Sequence, residues 1–214
     1  MPNIQAVLLD LDGTLLDAFA PIVRAMQQTL REFELPVLSE HEIRRHTGKG
    51  DCSMKALFGD AKEAAVQRFV HIHDEDYLTG IQPLAGASSL LDDLHKQRTP
   101  FAIVTSKGQQ RAEAQLQHLG WLPRIPLVVG QVPHRASKPN PEPLYFAADA
   151  LQSPIEACVM VGDGLADMQA SVRSGAYGVG LSHDFSHEEL TEAGAQRIFS
   201  HLDEVHTWLN TQIH

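Results

Sequence analysis

Hydrophobic residues in this chain fall into two alternating patterns. Short, nearly continuous apolar runs occur at residues 4–9, 101–104, 127–129, 158–161 and 177–180. They are rich in strand formers and end abruptly, as strands buried on both faces of a parallel sheet do. Between them, residues 86–96, 109–119, 142–151 and 166–173 carry apolar positions three and four apart, the period of an amphipathic helix. A weaker strand pattern at 196–199 and a helical one at 203–209 close the series. Strands alternating with helices of this length predict an α/β fold, a Rossmann-like parallel sheet covered by helices.

Residues 17–82 break the alternation. Helical patterns run through 20–33, 39–45 and 61–78, and no strand pattern intervenes. The stretch reads as an inserted α-helical cap domain, so that 1–16 and 83–214 form the α/β core and 17–82 the cap. The chain has no internal repeat or low-complexity tract.

Polar residues that directly follow buried strands are candidates for chemistry, because open parallel sheets bind ligands beyond their carboxyl ends. Here Asp10 and Asp12 follow the first strand pattern, Thr105 and Ser106 the second, Lys138 the third, and Asp163 with Asp167 the fourth. Carboxylates gathered in one pocket repel one another unless a cation compensates. Magnesium, a hard ion that takes oxygen ligands, suits such a set. With a cation and Lys138 beside a carboxylate, a dianionic phosphate can approach it, and Thr105 can donate to a phosphate oxygen.

Charge and composition narrow the class further. The 27 acidic against 17 basic residues, a formal charge of -10, oppose nucleic-acid binding. The 12 histidines are scattered without metal-ligand spacing. Cys52 and Cys158 are too few for a disulfide framework or a zinc cluster, which fits reduced thiols in a cytoplasmic protein. No stretch approaches the roughly 20 apolar residues of a membrane span, and the first residues lack the basic and apolar regions of an export signal. A soluble monomer or homodimer with no membrane partner is expected.

The strand-end residues resemble the haloacid dehalogenase-like hydrolases. The first motif of that family, Asp-x-Asp-Gly-Thr or Asp-x-Asp-Gly-Val, is matched by Asp10-Leu11-Asp12-Gly13-Thr14. The second, a Ser or Thr ending a strand, is matched by Thr105. The third, a Lys before a Pro-rich helix start, is matched by Lys138-Pro139-Asn140-Pro141, and the fourth by Gly162-Asp163-Gly164-Leu165-Ala166-Asp167. A calcium loop would instead need a bidentate Glu near its twelfth position, where this segment has none.

The resemblance implies a phosphatase in the phosphoglycolate phosphatase and β-phosphoglucomutase branch. It implies Asp10 as nucleophile, Asp12 as general acid and then base, and Thr105 and Lys138 as catalytic partners. Magnesium would be held by Asp10, the Asp12 carbonyl and Asp163, with Asp167 a ligand or its neighbour. Gly13, Thr14 and Ser106, together with Thr47, Gly48 and Lys49 from the cap, would meet a small phosphorylated substrate. The cap candidates lie in His46-Thr47-Gly48-Lys49-Gly50-Asp51, which reads equally as a helix–helix turn, and Arg44 and Arg45 read either as anion contacts or as a solvated face. Ser106 departs from the Asn common at this position. Other readings are a phosphomutase, a phosphonoacetaldehyde hydrolase with a Schiff-base lysine at Lys49 or Lys55, and a non-catalytic phosphate-binding module.

Overall fold

The protein is described here by a computed structural model covering residues 4–49, 53, 56–59 and 62–213. Six parallel strands form the main sheet: β1 (Ala6–Leu9), β4 (Phe101–Gly108), β5 (Val128–Gln131), β6 (Cys158–Gly162), β7 (Tyr177–Leu181) and β8 (Arg197–Phe199). Their spatial order is β5-β4-β1-β6-β7-β8. The first apolar run therefore becomes a central strand, paired with β4 on one side and β6 on the other.

Strand periodicity divides the core into two layers. Val7, Leu9, Phe101, Ile103, Val159 and Val161 point into one apolar cluster. Their neighbours Ala6, Leu8, Ala102, Val104, Cys158 and Met160 point into another on the opposite face. The first cluster is closed by helices α4 (Ala87–Gln97), α5 (Gln109–His118) and α9 (Leu202–Leu209), the second by α6 (Glu142–Ala150) and α7 (Leu165–Ser174). Both faces of the sheet are covered, which is why its strands read as continuous rather than alternating runs.

Helices α1 (Phe19–Glu32), α2 (Glu40–Gly48) and α3 (Lys62–Asp76) follow the first strand. They pack around Phe19, Ile22, Met26, Leu30, Ile43, Phe58 and Ala65, a cluster separate from the sheet's two layers. A capping box at Ser39 and Glu42 starts α2, leaving few unpaired N–H groups at that terminus.

Where the chain enters and leaves these helices it forms a two-strand antiparallel ribbon, β2 (Leu16–Asp17) against β3 (Gln82–Pro83). Two-residue strands carry no readable periodicity, and the sequence pattern did not indicate them. Helix α8 (His187–Ala193) is likewise additional to the pattern: a Ser186–Glu189 capping box sets its start, but Leu190 is its only buried residue. Among the described residues, no helix is long and apolar enough to cross a membrane.

Leu8 is fully buried in the central strand. Leu8→Ala is expected to lower unfolding free energy by about 2–5 kcal/mol through lost transfer energy and a residual cavity, read as a reduced midpoint in urea denaturation.

Candidate active site

The turn after β1 is built around one carboxylate from a distant strand. Asp10 extends the sheet by one residue, its N–H donating to Val161 O at 2.9 Å. The chain then folds back so that the N–H groups of Leu15 and Leu16 both donate to Leu11 O, at 3.0 and 2.9 Å. Gly13 sits at φ +83°, and a Cβ there would stand 2.2 Å from Asp163 Oδ2. Both the left-handed backbone and the close approach require glycine. Buried Thr14 donates from Oγ1 to Asp163 Oδ1 at 2.8 Å and accepts from the Asp163 N–H at 3.1 Å. Gly13 and Thr14, expected at the substrate, both face Asp163, and the two Thr14 bonds fix its orientation.

Lys138, on the loop between β5 and α6, is only 3% exposed. Its Nζ donates to Asp10 Oδ1 at 2.8 Å, Asp167 Oδ1 at 2.5 Å and Val104 O at 2.7 Å, which uses all three donors of the ammonium. Burial disfavours the charged amine, but the Asp10 and Asp167 carboxylates outweigh it and hold Lys138 above the ordinary lysine range. Asp167 lies in the first turn of α7, and its Oδ2 accepts from the Gly164 N–H at 3.0 Å.

One oxygen each from Asp10, Asp163 and Asp167 lies within 4.8 Å of the others. Burial, then repulsion from Asp10 and Asp167, pushes the Asp163 carboxyl well above the usual range. Burial raises Asp167 too, against the opposing pull of Lys138. Clustered hard oxygens that are reluctant to ionise together fit a divalent cation, which would relieve the repulsion.

Asp12 projects on the other side of the same turn. It accepts at Oδ1 from Lys107 Nζ at 2.7 Å, and that ammonium also donates to Gln115 Oε1 at 2.6 Å. Burial raises the Asp12 carboxyl despite the attraction of Lys107. Lys107 was not among the residues singled out by pattern; its position two residues beyond Thr105 was the available signal. Thr105 and Ser106 do not follow a finished strand as expected. β4 continues through them to Gly108, with a register shift between Val104 and Gly108, and the Thr105 hydroxyl accepts from the Lys107 N–H at 3.2 Å.

These groups floor a cavity of about 340 Å³. Asp10, Asp12, Thr105, Ser106, Lys138, Asp163 and Asp167 all line it, and Thr47 and Gly48 border it from α2. Lys49 is exposed and lies outside its lining, so it lacks the desolvation that activates a Schiff-base lysine. Gly50, Asp51, Cys52 and Lys55 lie outside the described residues.

Arg44 and Arg45 turn towards the sheet domain rather than into the cavity. Arg44 Nε donates to Asp184 Oδ2 at 2.9 Å, and Arg45 Nη2 donates to Glu189 Oε1 at 2.5 Å. The guanidinium groups also lie over the Phe19 and Phe185 rings, at 4.0 and 4.5 Å. Beside this latch, Gly48 meets Gly164 so closely that a Cβ on Gly164 would stand 2.6 Å from Gly48 O.

Comparison with known proteins agrees with this arrangement. The sequence profile of the haloacid dehalogenase-like hydrolases matches residues 7–180. A phosphoglycolate phosphatase of Rhodospirillum rubrum is 31% identical over 96% of this chain and 90% of its own. An N-acetylmuramic acid 6-phosphate phosphatase of Pseudomonas putida is 30% identical over 87% of this chain and 86% of its own. The crystal structure of a hydrolase from Pseudomonas syringae superposes with a TM-score of 0.85 at 29% identity, over 98% of this chain and all of that one (100%). With these matches and the four strand-end motifs converging on one cavity, the chain belongs to the haloacid dehalogenase-like hydrolases, as an enzyme of the phosphoglycolate phosphatase-like branch.

Proposed function

We propose that this phosphatase is magnesium-dependent and hydrolyses a small phosphorylated metabolite, of the phosphoglycolate, sugar phosphate or nucleotide type, through an aspartyl-phosphate on Asp10. The observation that carries the reading is the Asp10 carboxylate, held at one oxygen by Lys138 and bordering the cavity beside Asp163. The names of the Rhodospirillum and Pseudomonas relatives support a phosphate-ester substrate.

In this reading the Asp10 oxygen not held by Lys138 attacks phosphorus as the bond to the leaving alcohol breaks. Asp12 gives its proton to the leaving oxygen, a role that suits a carboxyl raised by burial. Asp12 then takes a proton from water, whose oxygen attacks the phosphoryl group and frees Asp10. Thr105 and Lys138 hold phosphate oxygens or the nucleophile in line, and Lys107 keeps Asp12 turned towards the cavity.

Asp10, Asp163 and the Asp12 carbonyl would hold magnesium. Asp167, with its oxygens engaged by Lys138 and Gly164, acts as their positioning neighbour. Bound magnesium supplies positive charge that offsets phosphate and carboxylate repulsion. Residues 17–82 serve as a cap that excludes water during transfer, a role supported by the arginine latch between α2 and the segment 184–189.

Asp10→Asn is expected to retain the far-ultraviolet circular dichroism of the parent and lose at least about 10³-fold in kcat. Rapid quench with ³²P-labelled ester should trap label on the parent and none on the variant. Retention of more than a trace of turnover would exclude the covalent scheme.

Metal binding has a signature independent of turnover. Asp167 is raised from 3.8 to about 6, and Asp163 is raised as well, so the metal-free folded state keeps protons that the unfolded chain has released. Stability from these groups therefore falls as pH rises from 3.8 to about 6. Saturating magnesium removes that penalty, and should raise Tm by about 3 °C or more at pH 7 and clearly less at pH 5. An equal shift at both pH values, or an unchanged shift in Asp163→Asn, would place the ion elsewhere.

A further inference from the structure

The cavity has two unlike halves. Its floor is the charged set at the strand ends, whereas its opposite wall is built by Phe19, Ile22, Phe58, Val66, Phe69 and Val70. Phe19, Ile22 and Phe58 are buried within the helical cluster, but Val66, Phe69 and Val70 are only half-buried along α3. They hold apolar surface towards the cavity that the packing of the three helices does not consume.

One polar atom interrupts this wall. His73 lies one turn beyond Phe69 on α3, lines the cavity and is 5% exposed. Its ring stacks on Phe69 with centroids 5.8 Å apart and leans on Tyr77 at 5.9 Å. No described group bonds its Nε2, which is fully shielded from solvent. Burial, followed by the nearby charges of Lys107 and Arg111, lowers the imidazole to about 4, and the ring is neutral at physiological pH.

Among the described residues, the cations that line the cavity are already paired. Lys138 meets Asp10 and Asp167, Lys107 meets Asp12, and Arg111 grips both oxygens of Asp74 at 2.5 and 2.9 Å. A second anionic group on the substrate, such as the carboxylate of phosphoglycolate, would lie against apolar side chains and a neutral ring. That is an unfavourable setting for a charge. Space favours something larger: about 150 Å³ accommodates a benzene ring, and the cavity offers about 340 Å³.

The geometry points to a substrate whose leaving group carries an apolar, ring-sized moiety packed on Val66, Phe69 and Val70. This deepens the phosphatase reading and rests on it. Among phosphate monoesters, the enzyme selects ring-bearing alcohols over compact alcohols that carry a carboxylate.

The test compares phosphoglycolate, benzyl phosphate and 3-pyridylmethyl phosphate, both as substrates of the parent enzyme with magnesium and as ligands of Asp10→Asn in calorimetry. Both ring esters should exceed phosphoglycolate by about tenfold or more in kcat/KM, the scale on which apolar pockets discriminate, and should bind Asp10→Asn in the same order. Phe69→Ala should reduce the ratio of benzyl phosphate to phosphoglycolate by about fivefold or more. Preference for phosphoglycolate in both assays, or a Phe69→Ala effect equal on all three esters, would overturn the proposal. Ring-ester binding to Asp10→Asn without turnover of any ester by the parent would uphold the apolar subsite and defeat the phosphatase reading.

Discussion

Mutual repulsion among buried carboxylates is the constraint on which the rest of this structure depends. Asp10 comes from a sequence position far from Asp163 and Asp167, and the three meet within 4.8 Å, where low dielectric makes like charges costly. Lys138 answers part of that repulsion by donating to two of the three and to a strand carbonyl. The sheet order makes the meeting possible. Because β1 lies between β4 and β6, Asp10 is flanked by Thr105 on one side and Asp163 on the other. The loop between β5 and α6 then has to cross the sheet end to deliver the ammonium.

Around this charged floor the fold separates rigidity from adaptability. The floor stands on strands whose side chains are buried in two layers, and Gly13 and Thr14 clamp Asp163 from beneath. The opposite wall is carried by helices with their own small core, joined to the sheet domain by the β2–β3 ribbon and by the Arg44 and Arg45 contacts. Partly exposed ion pairs of this kind contribute modestly and weaken with salt.

Much of this was legible in the sequence, and the exceptions share a cause. Five strands of the main sheet were visible because buried strands leave continuous apolar runs, the sixth, at the edge, left only a weak one, and the four motifs were visible because they lie at or beyond the carboxyl-terminal parts of strands. What pattern could not convey is direction. Thr14 belongs to the first motif, yet only the tight turn at Gly13 determines that its hydroxyl meets Asp163. Lys107 reads as an ordinary lysine after a strand until the bulge in β4 brings it onto Asp12. Arg44 and Arg45 carry the same charge whether they face an anion or Asp184 and Glu189. Likewise, Phe69 and His73 continue the helical period of α3, which looks the same whether that face meets neighbouring helices or a cavity. The ribbon and α8 were missed for a simpler reason: they are too short to establish a period.

The contact between Gly48 and Gly164 carries a consequence for descent. With backbone from α2 pressed against the start of α7, neither position has room for a side chain, since even a methyl group on Gly164 would collide with Gly48 O, and one on Gly48 would strike the Phe185 ring at 2.7 Å. Substitution at either site has to part α2 from the start of α7 at the edge of the cavity. A lineage that replaces either glycine has to remodel the seam on both sides at once.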